Sequence, residues 1–151
     1  MPPSSSKTIR AAQENFMPTL RELAGAYQAF SNYSARHVRS VGLTPPQFDV
    51  ISTLGNTDGM SMNKLGEKTL ITKGTLTGII DRLEEKGLVK RAVTEGNRRS
   101  FTVALTPEGE QLFEQIFPAH VAHLKARFMG LSEAQLDQLF VALKMLRTLF
   151  E

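Results

Sequence analysis

The sequence predicts a mainly α-helical (α+β) fold in which one β-hairpin accompanies several amphipathic helices. Apolar residues recur at helical spacing through most of the chain, and only residues 88–93 and 101–105 have the pattern of strands. One stretch, 61–99, concentrates basic side chains and glycines. These three observations give the fold class, and the third indicates where the function lies.

Composition limits the classes of protein to which the chain can belong. With 151 residues and 41% hydrophobic content, it is long enough for one globular domain with its own core. The absence of cysteine excludes disulfides, thiolate metal sites and redox sensing through a thiol. No apolar run approaches the roughly 20 residues of a membrane span, and MPPSSSK lacks the apolar core of a secretion signal. We therefore expect a cytoplasmic protein that makes no membrane contact.

The N-terminal region predicts a flexible tail followed by two helices. Two prolines and three serines begin the segment 1–15, whose composition cannot bury a core. A first helix is expected over 16–40, where apolar residues follow helical spacing. Thr44 and Pro45 supply an N-cap and a first-turn proline for a short second helix, which ends at a turn beginning with Gly55.

The stretch at 61–99 is predicted to form two helices, a strand and a basic loop. Ser61 caps the first helix, which ends near Thr69. Gly87 ends the second helix in the position that favours a left-handed residue. One face of this second helix carries an apolar stripe at i, i+3, i+4 and i+7, formed by Leu76, Ile79, Ile80 and Leu83.

The opposite face of the second helix carries two glycines, Gly74 and Gly78. Each costs a solvated helix about 1 kcal/mol relative to alanine, whereas a helix pressed against another surface gains a close approach. Thr75, Thr77 and Arg82 flank the glycines, and hydroxyls and cations suit phosphates and base edges. An ordinary solvated helix is the alternative interpretation.

The charge of the same stretch favours a polyanionic partner. Residues 61–99 hold nine basic and five acidic side chains, a net charge of +4, whereas the whole chain carries +3. The other 112 residues therefore sum to −1, so the basicity is local. Helix, turn, helix and basic hairpin in this order form a winged helix-turn-helix, in which one helix enters a major groove and the hairpin reaches the adjacent backbone or minor groove.

The C-terminal region predicts two helices with more apolar surface than one small domain can cover. Thr106 and Pro107 begin the first of them, and Ser132 with Gln135 forms a capping box for the second. Apolar residues continue to Phe150 in the last turn. We therefore infer a twofold helical interface and hence a homodimer.

Three motifs in this order resemble the MarR (multiple antibiotic resistance regulator) family of bacterial transcription regulators. LTPPQFDVISTL at 43–54 is similar to the family's second helix, and GTLTGIIDRLEEKGLVKR at 74–91 to its recognition helix and first wing strand. NRRSFTVALTPEG at 97–109 is similar to the wing return and the next helix. One departure is Asn97, where the family commonly has aspartate, while Arg99 keeps the matching position.

The resemblance implies a single domain over 16–151, preceded by the flexible tail. Its winged DNA-binding lobe would cover 44–105, and its helical dimerisation lobe would combine 16–40 with 106–151. The implied function is a sequence-specific regulator, a repressor that binds a pseudo-palindromic operator as a homodimer and is released by a small anionic aromatic ligand. The residues predicted to contact double-stranded DNA are Lys68, Thr72, Lys73, Thr75, Thr77, Gly78, Arg82, Arg98 and Arg99.

A cleft for the effector is expected where the N-terminal helix meets the winged domain. Its predicted lining is Phe30, Tyr33, Arg36, His37 and Phe48, and Arg36 or His37 would meet a carboxylate. Simple packing of these aromatic side chains in the core is the alternative.

Three other functions have weaker support. A metal-sensing regulator would use His120 and His123, spaced i, i+3, with His37 or a carboxylate as a third ligand. Such histidines are more often structural, and the sequence predicts neither a metal nor a cofactor. A winged-helix module that binds protein instead of DNA fits the fold but not the +4 charge of 61–99. Without cysteine, a glycine-rich phosphate motif or a recognisable Ser/His/Asp set, the sequence predicts no enzyme.

Overall fold

The computed structural model describes residues 6–94 and 97–151, with the backbone alone at 94 and 97–100. Its helices are α1 (Ser6–Ala12), α2 (Met17–Ser40), α3 (Pro45–Leu54), α4 (Met62–Thr69), α5 (Lys73–Glu85), α6 (Pro107–Phe128) and α7 (Glu133–Thr148). Its strands are β1 (Met60–Ser61), β2 (Val89–Thr94) and β3 (Asn97–Leu105). The predicted α+β fold is confirmed, with α4, α5 and the β2–β3 hairpin forming the winged helix-turn-helix.

The three strands form one antiparallel sheet in the order β1-β3-β2. β2 and β3 make the predicted hairpin, which begins with Val89 opposite Leu105 and shifts in register near its tip. β1 pairs Met60 with Val103 and Ser61 with the next residue of β3. The sequence did not predict β1, because a strand of two residues has no periodicity and exists only through its pairing with a distant segment.

Helix α1 lies within the segment 1–15, for which the sequence predicts a flexible tail. Lys7, Arg10, Ala11 and Ala12 are good helix formers, and they account for a helix in this part of the segment. None of its residues is buried, so α1 adds nothing to the core.

Side-chain caps start four of the helices where the sequence predicts them. In α3 the Thr44 hydroxyl accepts from the Gln47 backbone N–H at 3.3 Å, and the Gln47 side chain accepts from the Thr44 N–H at 3.1 Å. Ser132 and Gln135 make the same reciprocal pair at α7. Ser61 caps α4, accepting at 3.2 Å, and Thr106 caps α6. Each cap satisfies amide groups that the first turn leaves without a helical partner.

Gly87 and Thr106 join the end of α5 to the start of α6. Gly87 has the predicted left-handed conformation, with φ of 73°. The Thr106 hydroxyl donates to the Gly87 carbonyl oxygen at 2.6 Å and accepts from the Gly109 N–H at 3.1 Å. One side chain therefore caps α6 and holds the turn that follows α5.

The core lies inside the winged helix-turn-helix. Its most deeply buried side chains come from α2, α3, α4, α5 and the hairpin: Val38, Val50, Ile51, Leu54, Leu65, Leu76, Ile80, Leu83, Val89 and Val103. Helix α6 adds Phe113 and Ile116 to the same cluster. The predicted stripe of α5 is therefore part of the core, as its spacing required.

Two glycines let α6 lie tight against the winged lobe. A Cβ at Gly55 would overlap the Phe113 ring, and a Cβ at Gly109 would overlap the backbone carbonyl of Leu88. The first turns of α6 therefore have no space to shift toward α3 or toward the turn after α5.

A large apolar surface is left without a partner in this chain. No residue of α7 is buried. The exposed apolar side chains of α2, α6 and α7 include Leu20, Leu23, Tyr27, Phe30, Phe117, Val121, Phe128, Leu136, Leu139, Phe140 and Leu143. Among the described helices, none has the length and apolar character needed to span a bilayer.

Candidate nucleic-acid interface and ligand cavity

The outward face of α5 contains the residues that the sequence predicts for reading DNA. Thr75, Thr77, Gly78 and Arg82 are all exposed. No atom lies within 4 Å of a Cβ built at Gly74 or Gly78, so packing inside the chain does not require these glycines. This leaves close approach to an external surface as the physical reason for them.

The hydroxyls on this face are partly engaged with their own helix. Thr72 Oγ1 donates to Thr75 Oγ1 at 3.1 Å, and Thr77 Oγ1 donates to the Lys73 carbonyl at 3.1 Å. Each threonine oxygen still has lone pairs, and hydroxyl hydrogens rotate at little cost. The N-terminal turn of α5 therefore presents hydrogen-bonding groups whose direction can adapt to a ligand.

The cations around the face differ in whether they form ion pairs. Lys68, Lys73 and Arg82 are exposed and form no ion pair with another described side chain. Arg91 differs, because its guanidinium pairs with Asp81 and its backbone N–H donates to Glu84 Oε2 at 3.2 Å. The Arg91–Asp81 pair neutralises the Asp81 carboxylate on this face and ties β2 to α5. Sequence reasoning missed this pair, since ten positions separate its members.

A groove of about 290 Å³ adjoins the α5 face. It is lined by Ser61, Met62, Asn63, Lys73, Thr77, Arg91 and Phe101. Asn63 is a polar lining residue that sequence reasoning did not single out. Its position in the first turn of the Ser61-capped helix, next to the predicted interface, could have indicated it. The groove extends the polar surface from α5 to the start of α4.

The predicted wing arginines can be placed only by their backbone. Arg98 and Arg99 belong to β3, and their side chains lie outside the described residues. The tip at 95–96 lies outside them as well.

A second cavity, of about 430 Å³, lies between α2 and α6. Phe30, Tyr33 and Arg36 line it, as predicted for a ligand site, together with Ala29, Leu124, Arg127, Phe128 and Leu131. Its second wall is therefore the C-terminal half of α6 and not the winged lobe that the sequence predicts. His37 and Phe48, the other predicted lining residues, do not line this cavity.

Two guanidiniums stand over one aromatic ring of the cavity. The Arg127 carbon Cζ lies 4.9 Å from the centroid of the Tyr33 ring, and that of Arg36 lies 5.8 Å from it. Sequence reasoning found Arg36 but missed Arg127, which lies 91 positions further along the chain. Aromatic walls with two cations suit a flat anion.

His37 and Phe48 lie instead in a cluster around His120. His120 is 4% exposed; its Nδ1 lies 2.9 Å from His37 Nδ1, and its ring centroid 4.4 Å from that of Phe48. Burial lowers the pKa of His120 below its usual value, and the neighbouring His37 and His123 lower it further. Among the described residues, no group of three His, Cys, Asp or Glu side chains has an arrangement that could hold a metal ion.

A winged helix-turn-helix that exposes such a helix face defines a DNA-binding protein. A sequence profile of the MarR family matches residues 41–100. YkoM, an HTH-type transcriptional regulator of Bacillus subtilis (strain 168), is 31% identical over 131 residues, covering 87% of this chain and 85% of YkoM. The chain belongs to the MarR family of transcriptional regulators and is not an enzyme.

Solved structures agree with this assignment. AbsC, a MarR family regulator from Streptomyces coelicolor, has a TM-score of 0.80 and 26% identity, covering 87% of this chain and 91% of AbsC. BpsR from Bordetella bronchiseptica, whose DNA binding is regulated by 6-hydroxynicotinic acid, has a TM-score of 0.77 and 26% identity, covering 86% of this chain and 98% of BpsR. Family membership favours DNA over the alternative of a winged module that binds protein.

Proposed function

We propose that the chain is a homodimeric, ligand-responsive repressor that binds a pseudo-palindromic operator. The observation that carries this proposal is the exposed face of α5, where two glycines without an internal packing role stand among hydroxyls and unpaired cations. A surface of this kind costs helix stability, and contact with a DNA groove explains it.

Individual residues on the face take different roles in this proposal. Thr75, Thr77 and Arg82 lie toward the base edges of the major groove, with Gly78 allowing the helix backbone to approach. Lys73, Lys68 and Thr72 hold phosphates, which position the protein without reading sequence. Arg98 and Arg99 of the wing hold a neighbouring stretch of backbone or enter the minor groove.

The dimer is proposed from the uncovered apolar surface. Helix α7 buries nothing within its own chain, although its cap and periodicity are those of a stable amphipathic helix. A monomer would leave this surface in water together with the N-terminal half of α2. A second copy that packs the same surfaces about a twofold axis would bury them and set two α5 helices in the orientation of an inverted repeat.

The effector is proposed to be a small aromatic acid that binds in the cavity between α2 and α6. The guanidiniums of Arg36 and Arg127 would hold the carboxylate, and Phe30, Tyr33 and Phe128 would contact the ring. BpsR, with a related fold, responds to 6-hydroxynicotinic acid, which is a compound of this class. Occupation of the cavity would change the relation of α2 to α6 and with it the spacing of the two DNA-binding lobes.

Selection of genomic fragments bound by the purified protein tests the DNA-binding part. We expect a common inverted repeat whose half-site centres lie about 10 base pairs, one helical turn, apart. Arg82→Ala should change the preferred bases, whereas Lys73→Ala should weaken all duplexes and lower the salt slope of log affinity by about one unit. Lys7→Ala, an exposed cation on α1, is the matched control and should change neither. Recovery of fragments without a shared inverted repeat would contradict the proposal.

Titration with a panel of aromatic acids tests the effector part. Binding of a fitting acid should release the selected duplex, and Arg127→Gln should weaken that release while leaving DNA affinity without effector unchanged. Lys125→Gln, two positions earlier on α6 and not a lining residue of the cavity, is the control. A broad panel in which no acid alters DNA affinity would remove the effector from the proposal and leave the operator untouched.

A further inference from the structure

All three histidines of the chain meet at one place. His37 and His120 face each other with their Nδ1 atoms 2.9 Å apart, and the His123 ring lies 5.0 Å from that of His37 and 6.1 Å from that of His120. We call these residues the histidine cluster. Histidine is the side chain whose ordinary pKa lies between about pH 5 and 8, so a change of pH in that range can act on this cluster.

The hydrogen bond between His37 and His120 can exist only with a limited number of protons. One Nδ1 must carry a hydrogen and the other must offer its lone pair, while His120 Nε2 meets Ser34 Oγ at 3.2 Å. A first additional proton can enter at a nitrogen outside the Nδ1–Nδ1 contact and leave that bond intact. A second one gives both Nδ1 atoms a hydrogen, which removes the bond and places two cations in contact.

The third histidine is fixed differently. His123 Nε2 lies 3.0 Å from the Tyr33 carbonyl oxygen, which can only accept, so this nitrogen carries the hydrogen. The Tyr33 hydroxyl donates to the His123 carbonyl at 2.6 Å, and the two rings stack with centroids 3.9 Å apart. Tyr33 also lines the cavity between α2 and α6, so the cluster and the cavity share a wall.

Among the described residues, no carboxylate forms an ion pair that would stabilise extra positive charge on the cluster. Arg36 from α2 and Arg127 from α6 both stand over the Tyr33 ring and are themselves cations. Asp49 of α3 follows Phe48, which touches the cluster; burial raises the pKa of its carboxyl, and it makes no ion pair with an imidazole. In the described part of the chain no carboxylate pairs with any of the three rings.

The cluster also stands at a junction of the molecule. His37 belongs to α2, His120 belongs to α6, and the Phe48 ring of α3 packs on His120. We propose that the histidine cluster makes DNA binding proton-sensitive, because entry of the second proton separates α2 from α6 and so changes how α2 packs against the winged lobe. This inference rests on the proposed function for its DNA readout, but its structural part does not.

The direction of the effect follows from linkage. The folded state resists protonation of His120, whereas the unfolded chain accepts protons at the usual pKa of histidine, about 6.5. Stability should therefore be full above that pH and should fall as the pH decreases through the lowered pKa. Ordinary electrostatics predicts the opposite trend for DNA, since added positive charge strengthens binding to a polyanion.

Urea unfolding at pH values of about 7.5 and 5.5 tests the structural part. Wild type should lose stability at the lower pH. His37→Asn should be less sensitive than the wild type, because its amide can turn to accept from, or donate to, His120 Nδ1 in either protonation state, so that only the effect of burial on His120 is left. His123→Gln keeps a donor for the Tyr33 carbonyl and leaves the His37–His120 pair intact; it removes only the smaller influence of His123 on the pKa of His120, so it should retain most of the sensitivity of the wild type. Equal sensitivity of His37→Asn and wild type would overturn the proposal.

Histidine ring NMR of the wild type gives an answer that requires no variant to fold. The His37–His120 pair should titrate in two separated steps, the second of them below the usual pKa of histidine. Three independent titrations near the usual value would overturn the proposal.

DNA affinity is the functional readout. At constant ionic strength, binding of the selected duplex should weaken by about tenfold from pH 7.5 to 5.5 in the wild type. It should weaken less in His37→Asn. Binding that strengthens or stays constant at low pH while the cluster titrates as predicted would overturn the regulatory claim. If selection recovers no operator, the proposed function fails, and the unfolding and NMR measurements still decide the structural claim.

Discussion

Leu70 combines two properties that are unusual in a leucine. It ends α4 with a left-handed φ of 59°, and it is 90% exposed. A side chain with a Cβ costs about 1–2 kcal/mol in this conformation, and here no burial offsets the cost. The turn between the two central helices, which the sequence predicts as a break near Thr69, is therefore strained at one residue.

Leu70→Asn should relieve part of this strain, because asparagine adopts the left-handed region more readily. We expect the free energy of unfolding to rise by about 0.5–1 kcal/mol. Urea unfolding at one fixed protein concentration measures it, and Leu70→Ala is the control, since it removes the exposed side chain but keeps the backbone cost. If alanine stabilised the protein as much as asparagine, the strain would not be the cause.

Single residues show where sequence reasoning succeeds and where it stops. The caps at Thr44, Ser61 and Ser132 were predictable because each bonds to an amide three positions away. The contact of His37 with His120 spans 83 positions, and no local pattern reports it. For the same reason His37 was assigned to the ligand site, whereas the structure places it in the histidine cluster.

At the scale of the element, α5 has two faces with opposite requirements. The stripe of Leu76, Ile80 and Leu83 is fully buried, whereas Gly78 on the other face meets no atom of the chain. Burial and exposure of the two faces could be predicted from spacing alone, because a helix that packs on one core follows the 3.6-residue period. The pairing of Asp81 with Arg91 could not be predicted from spacing, because it depends on where β2 crosses the helix.

Gly78→Ala should therefore have two opposing effects. The added methyl should raise the free energy of unfolding by about 1 kcal/mol through helix propensity, because it meets open space. It should also weaken operator binding, because it keeps the backbone of α5 further from the groove. Unfolding and DNA affinity are measured on the same samples.

Gly66→Ala is the matched control for this prediction. It adds a methyl to α4 at a site with only ordinary contacts, the nearest 3.5 Å away, so it should change stability without the loss of DNA affinity. A Gly78→Ala protein that binds DNA as tightly as the wild type would contradict close approach.

The hairpin is the second element with a testable role. If Arg99 holds phosphate or enters the minor groove, Arg99→Ala should weaken binding to many sequences and lower the salt slope by about one unit. Asn97→Asp would test whether the carboxylate common in the family tightens or loosens the complex. Unchanged affinity and salt slope in Arg99→Ala would remove the wing from the interface while leaving α5 in place.

At the scale of the whole molecule, the distribution of apolar surface decides the assembly. The core is inside the winged lobe, whereas no residue of α7 is buried and most of its apolar side chains are exposed. The excess of apolar surface on the C-terminal helices was predictable from the sequence, because apolar residues continue at helical spacing to the last turn. The sequence could not predict which helices form the cavity, because its second wall comes from α6 residues that only the tertiary fold brings to α2.

Leu139→Glu combined with Leu143→Glu should weaken the proposed dimer, because two carboxylates would enter an apolar interface without partners. Sedimentation should give a monomer at micromolar concentrations, and affinity for a full operator should fall toward that for a half-site. Gln138→Glu, at an exposed polar position directly before Leu139 in the same helix, is the control. A double variant that remains dimeric would place the interface elsewhere.

The tight contacts at Gly55 and Gly109 have a mechanical consequence. Because the first turns of α6 cannot slide over the winged lobe, these turns and the lobe must move as one rigid body. The C-terminal half of α6 projects from this body. A small tilt of the C-terminal half of α6, imposed by a molecule bound between α2 and α6, would then produce a larger displacement at the tip of the hairpin. The proposed repressor dimer would need no flexible linker to change the distance between its two DNA-binding lobes.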